Sequence, residues 1–247
     1  MRISYSVIIP AYNEQAYLHA TLHALQHAMS RSDMAGEVIV VNNNSHDKTA
    51  DVAAEMGATV VFEPINQISR ARNTGARAAK GRYLIFLDAD TLICPELLNT
   101  ALGNLSSGSC CGGGGRVMFQ GDLTGFARYG AKFWNWIASR FRLAAGCFIY
   151  CLKDGFDAVG GFSQSVYASE EIWFSRQLQA WGKEQGMDFR IITDPPLLTS
   201  DRKLQWFSPL QLIAFAIVFF AFPFAVRFRP LCVFWYARSA PRRGTDN

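Results

Sequence analysis

Four times before residue 106 the chain passes from a short apolar run, through a polar turn, into a helix-length segment, and few architectures accommodate that rhythm. Ser6-Val7-Ile8-Ile9-Pro10 reads as a strand, and Ala11-Tyr12-Asn13-Glu14 opens a helix reaching about Met29. Glu37 to Val41 is a second strand, closed by Asn42-Asn43-Asn44-Ser45 and followed by a helix from about Lys48 to Met56 that stops at Gly57. Thr59 to Phe62, Ile68 to Lys80 and Arg82 to Leu87 continue as strand, helix and strand, and Pro95-Glu96 opens the next helix. Such alternation implies right-handed βαβ units and a mostly parallel sheet, with ligands bound beyond the carboxyl ends of the strands. Three polar clusters fall at those ends: Tyr12-Asn13-Glu14, Asn42-Asn43-Asn44 and Asp88-Ala89-Asp90.

The last cluster carries the most chemistry. On extended backbone Asp88 and Asp90 face one side and Ala89 the other, which leaves room between two oxygen donors for one Mg²⁺ or Mn²⁺ able to bridge a nucleotide pyrophosphate. The same residues equally suit a solvated acidic turn. His19, His23 and His27 recur along one face of the first helix without an acidic partner and read as a solvated stripe. The six cysteines have neither paired spacing nor disulfide-scaffold density, no signal-peptide pattern precedes the first strand, and a reduced, cytosolic chain is expected. Cys147 and Cys151 would share a face if helical; packing explains them better than a metal site.

Charge separates the body from the tail. Residues 1–203 contain 19 Lys/Arg and 19 Asp/Glu, whereas residues 204–247 contain five Arg against Asp246 alone. A neutral body with a basic, apolar tail argues against a nucleic-acid partner and for an anionic membrane surface. Regular alternation ends after Ser106, and Gly112 to Gly115 read as either a connector or the wall of a cleft before the strand Arg116 to Phe119. The expected division is a catalytic domain over 1–203, with a donor half at about 1–105 and an acceptor half at about 116–203, then the tail.

Taken in order, Val7 to Glu14, Val40 to Thr49, Ala71-Arg72-Asn73-Thr74-Gly75, Phe86 to Asp90, Val159 to Phe162 and Glu170-Glu171 resemble family 2 of the inverting glycosyltransferases. The resemblance implies the GT-A fold: a Rossmann-like nucleotide-diphospho-sugar transferase, with a mostly parallel sheet flanked by helices, plus here a C-terminal hydrophobic segment. It implies a UDP- or GDP-type nucleotide-sugar donor, with Pro10, Tyr12, Asn13, Glu14 and Asn43 around the nucleoside. Asn42 and Asn43 stand where the family usually has two aspartates, so a hydrogen bond to the base survives while a negative charge is lost. Arg72 would face the donor phosphates or orient the first aspartate. Asp88 would reach the ribose or a metal-bound water, and Asp90 would coordinate the cation. Glu171 takes the position of the catalytic base, with Glu170 positioning substrate or base.

Ser169 reads as the N-cap of the helix carrying that pair, Phe174, Leu178 and Trp181 as its buried stripe and Gly182 as its end. Gln177 to Trp181 lacks the arginine of the processive members' motif and comes too soon, so transfer is expected to be non-processive. A sugar nucleotidyltransferase would want a glycine-rich basic loop after the first strand, which is missing; an inert membrane-bound nucleotide-sugar binder would have no use for both Glu170 and Glu171.

Leu204 to Val226 is uncharged, but Pro209 and Pro223 shorten it, and Arg202 and Lys203 flank it on one side with five arginines on the other. Residues 204–237 are therefore expected to associate with the cytosolic face of the membrane, lying in that leaflet or pairing 204–226 with 231–237 as a shallow hairpin, in preference to a single span. A lipid-linked or glycan acceptor would be met there. Residues 123–143, aromatic interleaved with basic, read as a helix at the same interface or packed on the sheet.

Overall fold

A computed structural model describes residues 3–120, 129–130, 135–136, 140–202 and 226–232. The first half follows the expected alternation: β1 (Tyr5–Ala11), α1 (Gln15–Met29), β2 (Gly36–Asn42), α2 (Thr49–Glu55), β3 (Thr59–Phe62), α3 (Ile68–Ala78), β4 (Tyr83–Leu87), the two-residue β5 (Thr91–Leu92) and α4 (Pro95–Ser106). The second half holds β6 (Cys110–Phe119), β7 (Phe148–Leu152), α5 (Lys153–Ala158), α6 (Glu170–Glu184) and β8 (Asp188–Thr199), and Arg229–Leu231 forms a 3₁₀ turn.

All strands join one sheet in the order β3-β2-β1-β4-β7-β6-β8-β5. The first four pair in parallel, as βαβ crossovers require. Beyond them β7 runs antiparallel to both β4 and β6, β6 is parallel to β8, and β5 is antiparallel to β8, so the sheet as a whole is mixed. β4 is buried along its full length because helices cover both of its faces. Alternate residues divide between two cores: Val7, Ile9, Ile85 and Leu87 join Leu18, Leu22 and Leu97 on one face, while Ile8, Leu84 and Phe86 meet Ala71, Phe162, Phe174 and Leu178 on the other.

Four local readings change. Asp88-Ala89-Asp90 is not extended: the Thr91 amide donates to the Asp88 carbonyl at 3.1 Å and closes a turn, so the two aspartates are not placed by strand alternation. The glycine run is neither connector nor cleft wall but the buried centre of β6, where absence of Cβ lets neighbouring strands close in. A Cβ at Gly113 would collide with the Arg190 carbonyl of β8 and the Tyr150 ring of β7. Cys151 lies in β7 and Cys147 in the turn before it, so the two share no helix face; all six cysteines are free thiols. α6 continues past Gly182 to Glu184, Trp181 is only partly buried, and Ser169 sits before the helix at φ 61° without a side-chain capping bond. His19, His23 and His27 are exposed, as read from their spacing.

Residues 203–225 and most of 123–139 lie outside the described residues. Among the described residues no helix is long and apolar enough to cross a membrane. Val226 and Cys232 pack on Val166 and Ala168, and the Tyr167 amide donates to the Val226 carbonyl at 2.6 Å, so this piece of the tail rests on the catalytic body.

Candidate active site

Pro10 lies near the carboxyl end of β1, and Tyr12, Asn13 and Glu14 follow directly after the strand. Asn13 takes a left-handed conformation (φ 53°), which asparagine tolerates, and its Oδ1 accepts the His46 amide at 2.8 Å while its own amide donates to Ser45 Oγ at 3.0 Å. The Glu14 amide donates to Thr49 Oγ1 at 2.8 Å. The loops after β1 and β2 are thereby joined into one wall, with Pro10 and Tyr12 partly buried in it. Asn43 serves that wall from inside: its Nδ2 donates to the Glu63 and Ile65 carbonyls at 3.1 and 2.6 Å, and its Oδ1 accepts the Gln67 amide at 3.0 Å. Both amide hydrogens are committed to the 63–67 loop, so Asn43 shapes the pocket through that loop and has no hydrogen left for a base edge.

Arg72 is the hub of the second cluster. Its side chain projects from α3, is 1% exposed, and lies with its guanidinium carbon 5.1 Å from the centre of the Phe162 ring. Nη1 donates to Glu170 Oε1 at 2.7 Å, and Nη2 donates to Asp88 Oδ1 at 3.2 Å and to the Gly146 carbonyl at 2.7 Å. The surface ion pair that α3 alone would allow is excluded by this burial, and of the two expected roles, facing the donor phosphates or orienting Asp88, the hydrogen bond to Asp88 is compatible with the second. Burial works against its charge, but Glu170, Asp88 and Glu171 together hold its pKa above the ordinary arginine value.

Glu170 and Glu171 occupy the first turn of α6, where a helix N-terminus favours negative charge. Their environments differ. Glu170 is buried on Arg72; burial raises its pKa and the guanidinium offsets part of the rise. Glu171 is partly buried, and its pKa is pushed up to about 8 by burial and then by the neighbouring Glu170 charge. A carboxyl whose pKa is raised toward neutrality is suited to accepting a proton. Gly146 borders both groups: a Cβ there would stand in ordinary contact with them, 3.4 Å from Arg72 Nη2 and 3.7 Å from the Glu171 carboxyl carbon.

A third cluster was not legible in the sequence. Arg202 reads as a charge flanking the apolar tail, yet the residue is 8% exposed, with Nη2 2.6 Å from Glu14 Oε1 and 3.0 Å from Asp90 Oδ2. Its guanidinium lies over the Tyr17 ring, 4.2 Å from the centroid. Pairing explains the position. β5 leaves the aspartate turn and pairs antiparallel with the end of β8 at Thr91–Thr199, so the residues after β8 arrive beside Asp90, and the Ser200 amide donates to the Asp90 carbonyl at 3.2 Å. β8 itself escapes notice because Pro195 and Pro196 interrupt its pattern.

Asp88 and Asp90 thus stand on two different arginines. Among the described residues no three His, Cys, Asp or Glu side chains group as a metal cage. Mg²⁺ or Mn²⁺ needs none, since such ions are commonly bound through one or two carboxylates plus substrate phosphates and water. The two aspartates fit that donor set.

Comparison with known proteins identifies the family and the fold. The family model described as Glycosyl transferase family 2 matches residues 6–172, more than half of the chain. The chain belongs to this family. Glycosyltransferase AglE of Haloferax volcanii is 29% identical over 188 residues, covering 71% of this chain and 61% of AglE. The matched part spans about a third of the length of the first curated relatives. Among solved structures, Staphylococcus aureus TarS 1-349 in complex with UDP superposes with a TM-score of 0.60 at 17% identity, covering 80% of this chain and 60% of TarS. A mannosyltransferase from Pyrobaculum calidifontis in complex with GDP-Man and Mn²⁺ gives a TM-score of 0.60 at 22% identity, covering 81% of this chain and 57% of that one. The fold is the GT-A fold of glycosyltransferases.

Proposed function

We propose that this chain transfers a sugar from a nucleotide-sugar donor to an acceptor hydroxyl in a single displacement that inverts the anomeric carbon. The observation that carries this reading is the Arg72 bridge. One buried guanidinium ties Asp88, at the end of the donor strand β4, to Glu170, beside the raised Glu171 carboxyl. Such a bridge would hold a donor at Asp88 and a base at Glu171 in fixed relation, as an in-line attack requires. Glu171 would take the acceptor hydroxyl proton as it attacks the anomeric carbon, and Glu170 with Arg72 would hold the base in place. The loops after β1 and β2 would receive the nucleoside, in keeping with the UDP and GDP-Man in the two similar structures.

Asp90, with Asp88, would hold Mg²⁺ or Mn²⁺, which when bound supplies charge neutralisation for the leaving nucleoside diphosphate. The reaction site is proposed to face the cytosolic membrane surface with a lipid-linked or glycan acceptor. Exposed Phe228 and Leu231, flanked by Arg227 and Arg229, sit on the piece of tail that packs against Val166 and Ala168, just ahead of the Glu170-Glu171 pair.

The test is turnover of a panel of UDP- and GDP-sugars by the full chain with Mn²⁺. Glu171→Gln should leave donor affinity near wild type and slow turnover roughly a hundredfold or more. A chain that turns over none of these donors, or a variant as fast as wild type, would refute the reading.

A further inference from the structure

Asp90 is the carboxylate to which a cation is assigned above, and in this structure a cation already sits on it. The guanidinium of Arg202 lies 3.0 Å from Asp90 Oδ2 and 2.6 Å from both carboxylate oxygens of Glu14. All three side chains are at least nine-tenths buried. Nothing about the pair resembles a loose surface contact. The Tyr17 ring backs the guanidinium, and the β5–β8 pairing holds the backbone at Ser200 against Asp90. Two buried carboxylates without a counter-charge would be strongly destabilising, and with no metal in place Arg202 supplies the charge that balances Asp90 and Glu14.

We propose that Arg202 and the divalent cation occupy Asp90 in alternation. With no donor bound, Arg202 neutralises Asp90 and Glu14 and keeps the free protein's metal affinity low. Arrival of the metal with the donor's diphosphate moves the guanidinium off Asp90, because a divalent ion and a guanidinium cannot share one face of a carboxylate without like-charge repulsion. The diphosphate tips the balance by adding negative charge on the side of the metal. Metal and nucleotide would then load together rather than in sequence, and Arg202 determines how strongly each requires the other. The inference rests on the assignment of Asp90 as the cation's carboxylate.

The experiment measures Mn²⁺ dissociation constants by titration of the full chain, with and without UDP and GDP. The variants are Arg202→Gln, Asp90→Asn, the Arg202→Gln/Asp90→Asn pair, Glu14→Gln and Glu14→Gln/Arg202→Gln. In the absence of nucleotide, Arg202→Gln should bind Mn²⁺ about tenfold tighter or more, the effect expected from removing one positive charge at contact distance in a buried site. The enhancement of Mn²⁺ binding by nucleotide should shrink correspondingly. Both changes should vanish in the Asp90→Asn background, an outcome that general loss of positive charge would not produce. Should Arg202→Gln fold poorly with two unbalanced carboxylates, the same tightening should appear between Glu14→Gln and Glu14→Gln/Arg202→Gln, where one carboxylate charge is gone. Wild-type protein that binds Mn²⁺ with nucleotide, combined with no tightening in either arginine variant, overturns this inference and leaves the proposed function standing. Wild-type protein that binds no Mn²⁺ even with both nucleotides overturns the cation assignment and this inference with it.

Discussion

Replacing Arg72 by Met removes the guanidinium while keeping most of the aliphatic stem, and should cost more than any ordinary surface ion pair. Arg72 is 1% exposed and donates to three acceptors: Glu170 and the Gly146 carbonyl at 2.7 Å and Asp88 at 3.2 Å. The Glu170 side chain is 4% exposed and would be left without its counter-charge, a loss of about 3–5 kcal/mol; Asp88, at 19%, can recruit water and adds less. Burial already raises the Glu170 pKa, and without Arg72 it rises further. A carboxyl whose folded pKa exceeds its unfolded one costs no stability below the unfolded value, about 4.3, and costs progressively more as pH climbs through the folded value. The Arg72→Met deficit should therefore be small near that lower bound and grow toward neutrality. Urea unfolding across this range measures it, and Arg72→Met/Glu170→Gln should recover a large part of the loss at neutral pH because the stranded charge is gone. A deficit below about 1 kcal/mol at neutral pH, or one that does not change with pH, would refute the view that this ion pair is energetically buried.

The turnover profile of the wild type should rise with pH as Glu171 ionises, with a midpoint displaced from the ordinary glutamate range toward 8; a flat profile from pH 5 to 9 would remove Glu171 as the base. Gly113→Ala should destabilise the domain by roughly 3 kcal/mol, since the new methyl meets the backbone carbonyl of Arg190, which cannot rotate away; thermal unfolding within a degree of wild type would show that β8 yields. Truncation after Lys203 keeps Arg202 and should leave a domain that still binds nucleoside diphosphate but no longer sediments with anionic vesicles; full-length chain that ignores such vesicles would end the membrane proposal.

The donor half was legible because its information is local. Uninterrupted apolar runs such as Tyr83 to Leu87, turn residues at their ends and amphipathic helices between them dictate parallel βαβ units whatever lies elsewhere in the chain. The position of the Glu170-Glu171 pair in a helix's first turn was equally a matter of adjacent residues. The second half followed other rules. Four glycines in a row are a poor strand by propensity, and they form one here because Arg190 and Tyr150 press against them from two neighbouring strands. Asn43 had the right chemistry for a nucleobase, but its amide hydrogens were claimed by carbonyls some twenty residues away. Arg202 shows the difference most clearly. Its sequence neighbours made it the flank of an apolar tail, and only the antiparallel pairing of β5 with β8 carries it 188 positions back to Glu14 and onto Asp90. Local sequence specifies which residues can bear charge; which charges meet in a buried site depends on strand pairing between distant segments, where desolvation makes every unpaired group costly enough to select its partner.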